Sequence, residues 1–203
     1  LSIKVENPRS RGELVPGFLG GDVDPRRFLE SLALEAGRYG PFSLIAGTPE
    51  DLWWTSSVTR ELARIPAGVH ALSNQLLDTP WPKVVRIREG LRRALDGPRE
   101  DLIDASLALL ADRTPAPAEA LPDTGVGPVL EAGLSPLFVS LPGYGTRCST
   151  VLVVHRDGRH LFVERSFDPT GRPAGDREFS WTRLQGAAGC AMKDRTQGQH
   201  DPR

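Results

Sequence analysis

Two stretches of the chain carry the side chains best suited to chemistry. The first is Gly68–Val84. Val69 to Leu72 alternates apolar and polar residues like the end of a short strand, and Ser73-Asn74 then places two hydrogen-bonding side chains where regular pairing stops. Asp78-Thr-Pro-Trp-Pro82 breaks the chain, because neither proline can donate to a ladder and each disfavours the helical region for the residue before it. An amide at such an elbow is held still. It can serve a ligand, or it can close the elbow by bonding nearby backbone. His70, inside the expected strand, is a base or a structural histidine. The second stretch is Pro142-Gly-Tyr-Gly-Thr-Arg147. Gly143 and Gly145 allow unusual backbone angles and close approach beside Tyr144. Arg147 offers a planar fork for a carboxylate or phosphate, or forms an ion pair with a neighbour such as Glu164. Arg165 follows Glu164 and so points to the opposite face of its strand. Arg11 binds an anion or pairs on the surface. Cys148 and Cys190 have no metal-ligand spacing and give no disulfide framework, so no metal site is read here.

The elements that must position these groups follow from periodicity and punctuation. Leu1 to Glu6 alternates like a strand that Asn7-Pro8 ends. Ser10 with Glu13 forms a capping box before a short helix that Pro16 and Gly17 confine to a turn or two. Asp24-Pro25 opens a stronger helix with Phe28, Leu29, Leu32 and Ala36 on one face, and Gly37 stops it. Phe42 to Ala46 and Leu52 to Thr55 read as strands joined at Gly47-Thr-Pro-Glu50, and Leu62 to Ile65 as a third. Trp53-Trp54 puts one indole on each face, one in the core and the other exposed or in a pocket wall. A helix starts at about Pro82, with Val84, Ile87, Leu91, Ala94 and Leu95 as its apolar stripe. A second begins near Leu102, and residues 112–135 read as a long surface loop. Leu137 to Leu141, Ser149 to His155, Arg159 to Arg165 and Phe179 to Thr182 are strands, with His155-Arg-Asp-Gly158 as a hairpin turn. Residues 184–203 read as a disordered tail. The class is α+β, in one domain over 1–183.

Composition bounds the function. A length of 203 residues suits a real core, and a formal net charge of -1 gives no bulk electrostatic case for nucleic acid or an anionic membrane. No apolar run approaches the roughly 20 residues needed to cross a bilayer. Two unpatterned cysteines and no charged-then-apolar leader suit a reduced, cytoplasmic setting. Basic charge is nearly all arginine, with lysine only at positions 4, 83 and 193, a composition typical of a high-GC bacterial genome. The chain opens on Leu1, so it reads as a fragment, a processed form, or a gene with a misplaced or non-standard start.

Four ordered blocks carry a resemblance. Arg11-Gly-Glu-Leu-Val15, Tyr39-Gly-Pro-Phe-Ser-Leu-Ile-Ala46, the Gly68–Val84 stretch, and Pro142–Val151 followed by Phe162-Val-Glu-Arg165 resemble the transport and Golgi organisation protein 2 family, also called the NRDE family, over about residues 9 to 182. The resemblance implies the four-layer αββα sandwich of N-terminal-nucleophile hydrolases, here without the family's N-terminal segment. That segment carries the Cys after the initiator Met, the NRDE motif and a Gly-Gly-Thr-Trp-Leu-Gly block. By analogy with such hydrolases, Asn74 is an oxyanion donor. Arg11, His70, Tyr144, Arg147 and Arg165 are the ligand-binding candidates. Ser43 and Ser56 stand where members often carry Asn. The family is implicated in haem and lipid handling and in secretory homeostasis. The leading expectation is therefore a non-catalytic protein that binds a small haem- or lipid-like molecule. No cofactor is required, haem is the candidate bound ligand, and His70, His155 and His160 are available to it without an assigned axial ligand. The alternative expectation is a hydrolase of non-peptide amide bonds whose nucleophilic Cys is absent from this chain.

Overall fold

The computed structural model describes residues 8–183 and the backbone of a strand at 190–197. The expected strand at Leu1 to Glu6 lies outside the described residues. The chain contains two compact units, Leu1–Thr79 and Pro80–Arg203. Both mix helix with antiparallel sheet, so the class is α+β.

In the first unit, Ser10 Oγ accepts from the Gly12 amide at 3.2 Å and starts a short turn leading into α1 (Leu14–Leu19). Half of the capping box forms. The Glu13 carboxylate goes to Arg9 at 2.9 Å instead of back to the Ser10 amide. Helix α2 (Pro25–Glu35) has its proline at the first position, where a missing N–H costs nothing, and Asp24 Oδ1 accepts from the Arg27 amide at 3.1 Å. Asp24→Ala is expected to lower stability by about 1 kcal/mol, read as a shift of the urea midpoint at unchanged slope.

Strands β1 (Ser43–Thr48), β2 (Asp51–Ser56) and β3 (Leu62–Ile65) pair antiparallel in the order β1-β2-β3. Helix α2 lies on this sheet and buries Leu29, Leu32 and Ala33. Leu14, Tyr39 and Ala46 complete the core, with Phe18, Phe28 and Trp53 packed against it. Trp53 is half-buried: its Nε1 donates to Asp51 at 2.9 Å and the Arg26 guanidinium lies over its ring at 5.0 Å. Trp54 is buried, so neither indole is an exposed aromatic.

The expected strand Val69 to Leu72 does not form. The Ala71 amide donates to Asp78 Oδ1 and the Asp78 amide donates to the Ala71 carbonyl, both at 2.8 Å. Ala71 thus finds both of these partners seven residues along the same chain. His70 Nδ1 meets Asp78 Oδ2 at 2.6 Å, and Asp78 sits at a φ of +57°, in the left-handed region.

The second unit contains α3 (Pro82–Asp96), α4 (Leu102–Leu110) and α5 (Pro128–Leu134). Helices α3 and α4 approach closely at Gly90, where a Cβ would overlap the Leu109 side chain, and α4 lies against the large sheet. Helix α5 corrects the expectation of an unbroken loop over 112–135. Gly127, at a φ of +88°, turns the chain into Pro128, which begins the helix. The expected strand Leu137 to Leu141 shrinks to β4 (Ser140–Leu141), because Phe138 donates its amide to the Asp112 carbonyl instead. After β5 (Tyr144–Gly145) come β6 (Cys148–Val154), β7 (Arg159–Phe167), β8 (Pro173–Arg183) and β9 (Cys190–Gln197), an antiparallel sheet in the order β6-β7-β8-β9. The backbone at 190–197 is a strand paired with β8, and residues 184–189 and 198–203 of the expected disordered tail lie outside the described residues. Among the described residues, no helix is long and apolar enough to cross a membrane.

Candidate functional site

The second unit holds a cleft of about 340 Å³ between the β4–β5 hairpin and the turn that follows β7. Its hairpin side is built by glycine. Gly143 takes a φ of +72° in the two-residue turn, and a Cβ on Gly145 would stand 2.8 Å from the Val139 carbonyl oxygen. The Thr146 amide donates to that carbonyl at 2.9 Å, while Thr146 Oγ1 accepts from the Val139 amide at 3.0 Å. These bonds hold Tyr144 and Arg147 at the cleft wall. The Phe167 amide donates to the Arg147 carbonyl at 2.8 Å, which sets Arg147 beside the end of β7.

The other wall is a turn closed by Asp168. Its Oδ1 accepts from the Thr170 amide at 2.8 Å, Thr170 Oγ1 at 2.6 Å and the Arg172 amide at 2.9 Å. The Thr170 hydroxyl, then the Arg172 amide, hold this carboxyl below the usual carboxylate range. Phe167 lines the cleft and packs edge-to-face on Phe138, with ring centroids 4.7 Å apart. The Arg113 guanidinium covers Phe138 at 4.0 Å and bonds to the Gly171 carbonyl, which ties the turn to the core.

Tyr144 and Arg147 are the two sequence candidates that the fold brings together. Arg147 is exposed and its side chain has no hydrogen-bond or ionic partner among the described residues. Glu164, its expected neighbour, instead accepts from Thr150 Oγ1 at 3.2 Å. Arg165 is committed to a forked pair with Asp176 at 2.9 and 2.7 Å. In the first unit, Arg11 donates to the Pro41 carbonyl at 2.8 Å, and exposed Asn74 accepts from Ser73 Oγ at 3.4 Å in a turn. His70 turns Nδ1 to Asp78, while its Nε2 is buried without a partner, 3.2 Å from where a Cβ on Gly68 would stand. Sequence reasoning missed Asp168. The signal was present in Asp168-Pro-Thr-Gly171, where an Asp opens a tight turn before Pro and Gly.

The Arg165–Asp176 pair carries a pH dependence. Hydrogen bonds from Arg165 depress the folded-state pKa of Asp176 against the opposing effect of burial. Its contribution is therefore present above the unfolded carboxylate pKa and lost as pH falls through the folded one. The Asp176 side chain is 39% exposed, so solvent screening limits the pair to no more than about 1 kcal/mol. Asp176→Asn is expected to be less stable by that order at neutral pH and to converge on the parent in acid, read from urea unfolding at a series of pH values.

The family model for transport and Golgi organisation 2 matches residues 2–169, a span that includes the hairpin, Arg147 and Asp168. The transport and Golgi organization protein 2 homolog of Bos taurus is 35% identical over 193 residues, covering 85% of this chain and 68% of its own length. The Homo sapiens homolog is 33% identical over 172 residues, covering 78% of this chain and 62% of its own length. This chain belongs to the transport and Golgi organisation 2 family. It spans about two thirds of the length of these family relatives. Within the family match, the cleft is assembled from two segments, 139–147 and 167–171, that the sheet places side by side.

Proposed function

We propose that this member of the transport and Golgi organisation 2 family is a binding protein for a small amphiphile, with the ligand's anionic group on Arg147, the rest of its head beside Tyr144 and its apolar part along Phe167. The observation that carries the reading is an unpaired guanidinium in the wall of a cleft that also presents two aromatic rings. A guanidinium fork matches a carboxylate or phosphate with two parallel hydrogen bonds. The cleft volume is at the lower end of small-molecule sites, which run from roughly 300 to 1,000 Å³. Its lining includes neither Cys nor His, which favours binding over amide hydrolysis at this place.

Lipid handling is the form of this function we favour, with a role in secretory homeostasis following from it. Haem would be held through a propionate on Arg147, but His70 and His160 fit iron poorly. His70 has one ring nitrogen on Asp78 and the other packed over Gly68, and His160 turns Nδ1 to the Gly158 carbonyl while stacking on Trp181. The scaffold we infer is the αββα sandwich of N-terminal-nucleophile hydrolases, supported by an antiparallel meander with helices on it in each unit.

Calorimetric titration with dihexanoyl phosphatidic acid, kept below its micelle concentration, tests the binding reading. The parent should bind, and Arg147→Ala should weaken binding by about tenfold, the loss of one charge-assisted contact at about 1.4 kcal/mol. No binding by the parent, with haemin equally silent by absorbance, would end the reading.

A further inference from the structure

The same cleft carries a second charge of opposite sign. Asp168 lines it together with Arg147, yet the two side chains form no ion pair with each other. Asp168 is fixed by its own turn. All three of its hydrogen bonds fall on Oδ1, which leaves Oδ2 without a partner among the described residues. The surrounding cations do not take that oxygen. Arg113 is spent on the Gly171 carbonyl and the face of Phe138, and Arg172 donates its backbone amide to Oδ1 and adds a charge attraction, with no side-chain hydrogen bond to the carboxylate. A ligand carrying only negative charge would bind through Arg147 but be weakened by repulsion from this carboxylate. A ligand carrying only positive charge would meet it from Arg147. Resting on the anion reading above, we infer that the cleft takes a zwitterionic head group, an oxyanion on Arg147 with an ammonium against Asp168 and the Tyr144 ring. The aromatic ring suits the second half of that group, since an ammonium or quaternary nitrogen over its face is attracted by the ring's quadrupole. The charges of wall and ligand then cancel in pairs, and neither wall charge is left facing its like.

Phosphocholine and its two halves, methyl phosphate and tetramethylammonium, separate this inference from the reading it rests on. Calorimetric titrations of the whole chain should show phosphocholine binding at least about tenfold more tightly than either half. Asp168→Asn keeps an oxygen for the turn and should bring phosphocholine down to the level of methyl phosphate; Arg147→Ala should lose both. Phosphocholine and methyl phosphate binding equally to the parent would overturn the zwitterion and leave the anion site standing. Neither of them binding would overturn both. The comparison of ligands on the parent decides the matter even where a variant fails to fold. Co-sedimentation with phosphatidylcholine vesicles would assign the head group to a lipid. Binding of free phosphocholine alone would assign it to a soluble molecule, and either result supports the zwitterion.

Discussion

Phe138→Ala should lower the unfolding free energy of the protein by about 3–5 kcal/mol, the largest loss expected from a single side chain among the described residues of the second unit. Phe138 is 1% exposed and has the largest of its fully buried side chains. Its ring meets Phe167 edge-to-face and carries Arg113 on its face. Truncation removes the transfer free energy of a ring and leaves a cavity beside Phe167. It also strips Arg113 of the surface it covers, which loosens the Asp168 turn through the Gly171 carbonyl. Denaturant unfolding measures the loss, and Phe138→Leu should lose less because its cavity is smaller. A change below about 1 kcal/mol for Phe138→Ala would show that the site refills.

Leu29→Ala is the counterpart in the first unit, with an expected loss of about 2–5 kcal/mol. Leu29 is fully buried under α2, against the sheet β1-β2-β3. Leu34, on the same helix, is 88% exposed, so Leu34→Ala should stay within about 0.5 kcal/mol. The pair shares residue type, helix and substitution and differs only in which face it occupies. Equal losses in urea midpoints would contradict the packing of α2 on the sheet.

The starts and stops of elements were legible where a residue forces them locally. Asp24-Pro25 and Pro82 open helices as their missing amides allow, and Asp157-Gly158 closes the β6–β7 hairpin, with Asp157 Oδ1 accepting from the Arg159 amide. Alternation misled where a tertiary partner overrode it. Val69 to Leu72 looks like a strand, but the Ala71 amide is claimed by a carboxylate seven residues on, and no periodicity announces that. Helix α5 was hidden by the proline and glycine around it, although Pro128 itself is a helix-start residue. The site divides in the same way. Tyr144 and Arg147 stand out through the glycines beside them, whereas Asp168 acquires its place only when β6 and β7 pair and bring two distant segments to one edge.

Among the described strands, every pairing joins neighbours in the chain, in both the β1-β2-β3 and the β6-β7-β8-β9 sheets. No crossover has to be threaded, and the partners of a ladder such as Val154 with His160 are close along the backbone. Loop closure is then a small entropic step for each pair, and hairpins of this kind form in about 1–10 μs. The sheets can zip outward from Thr48–Asp51 and from His155–Arg159, one local closure after another. Acquisition of sheet structure is thus expected to be fast for a protein so rich in strands, because topology of this type keeps contact order low.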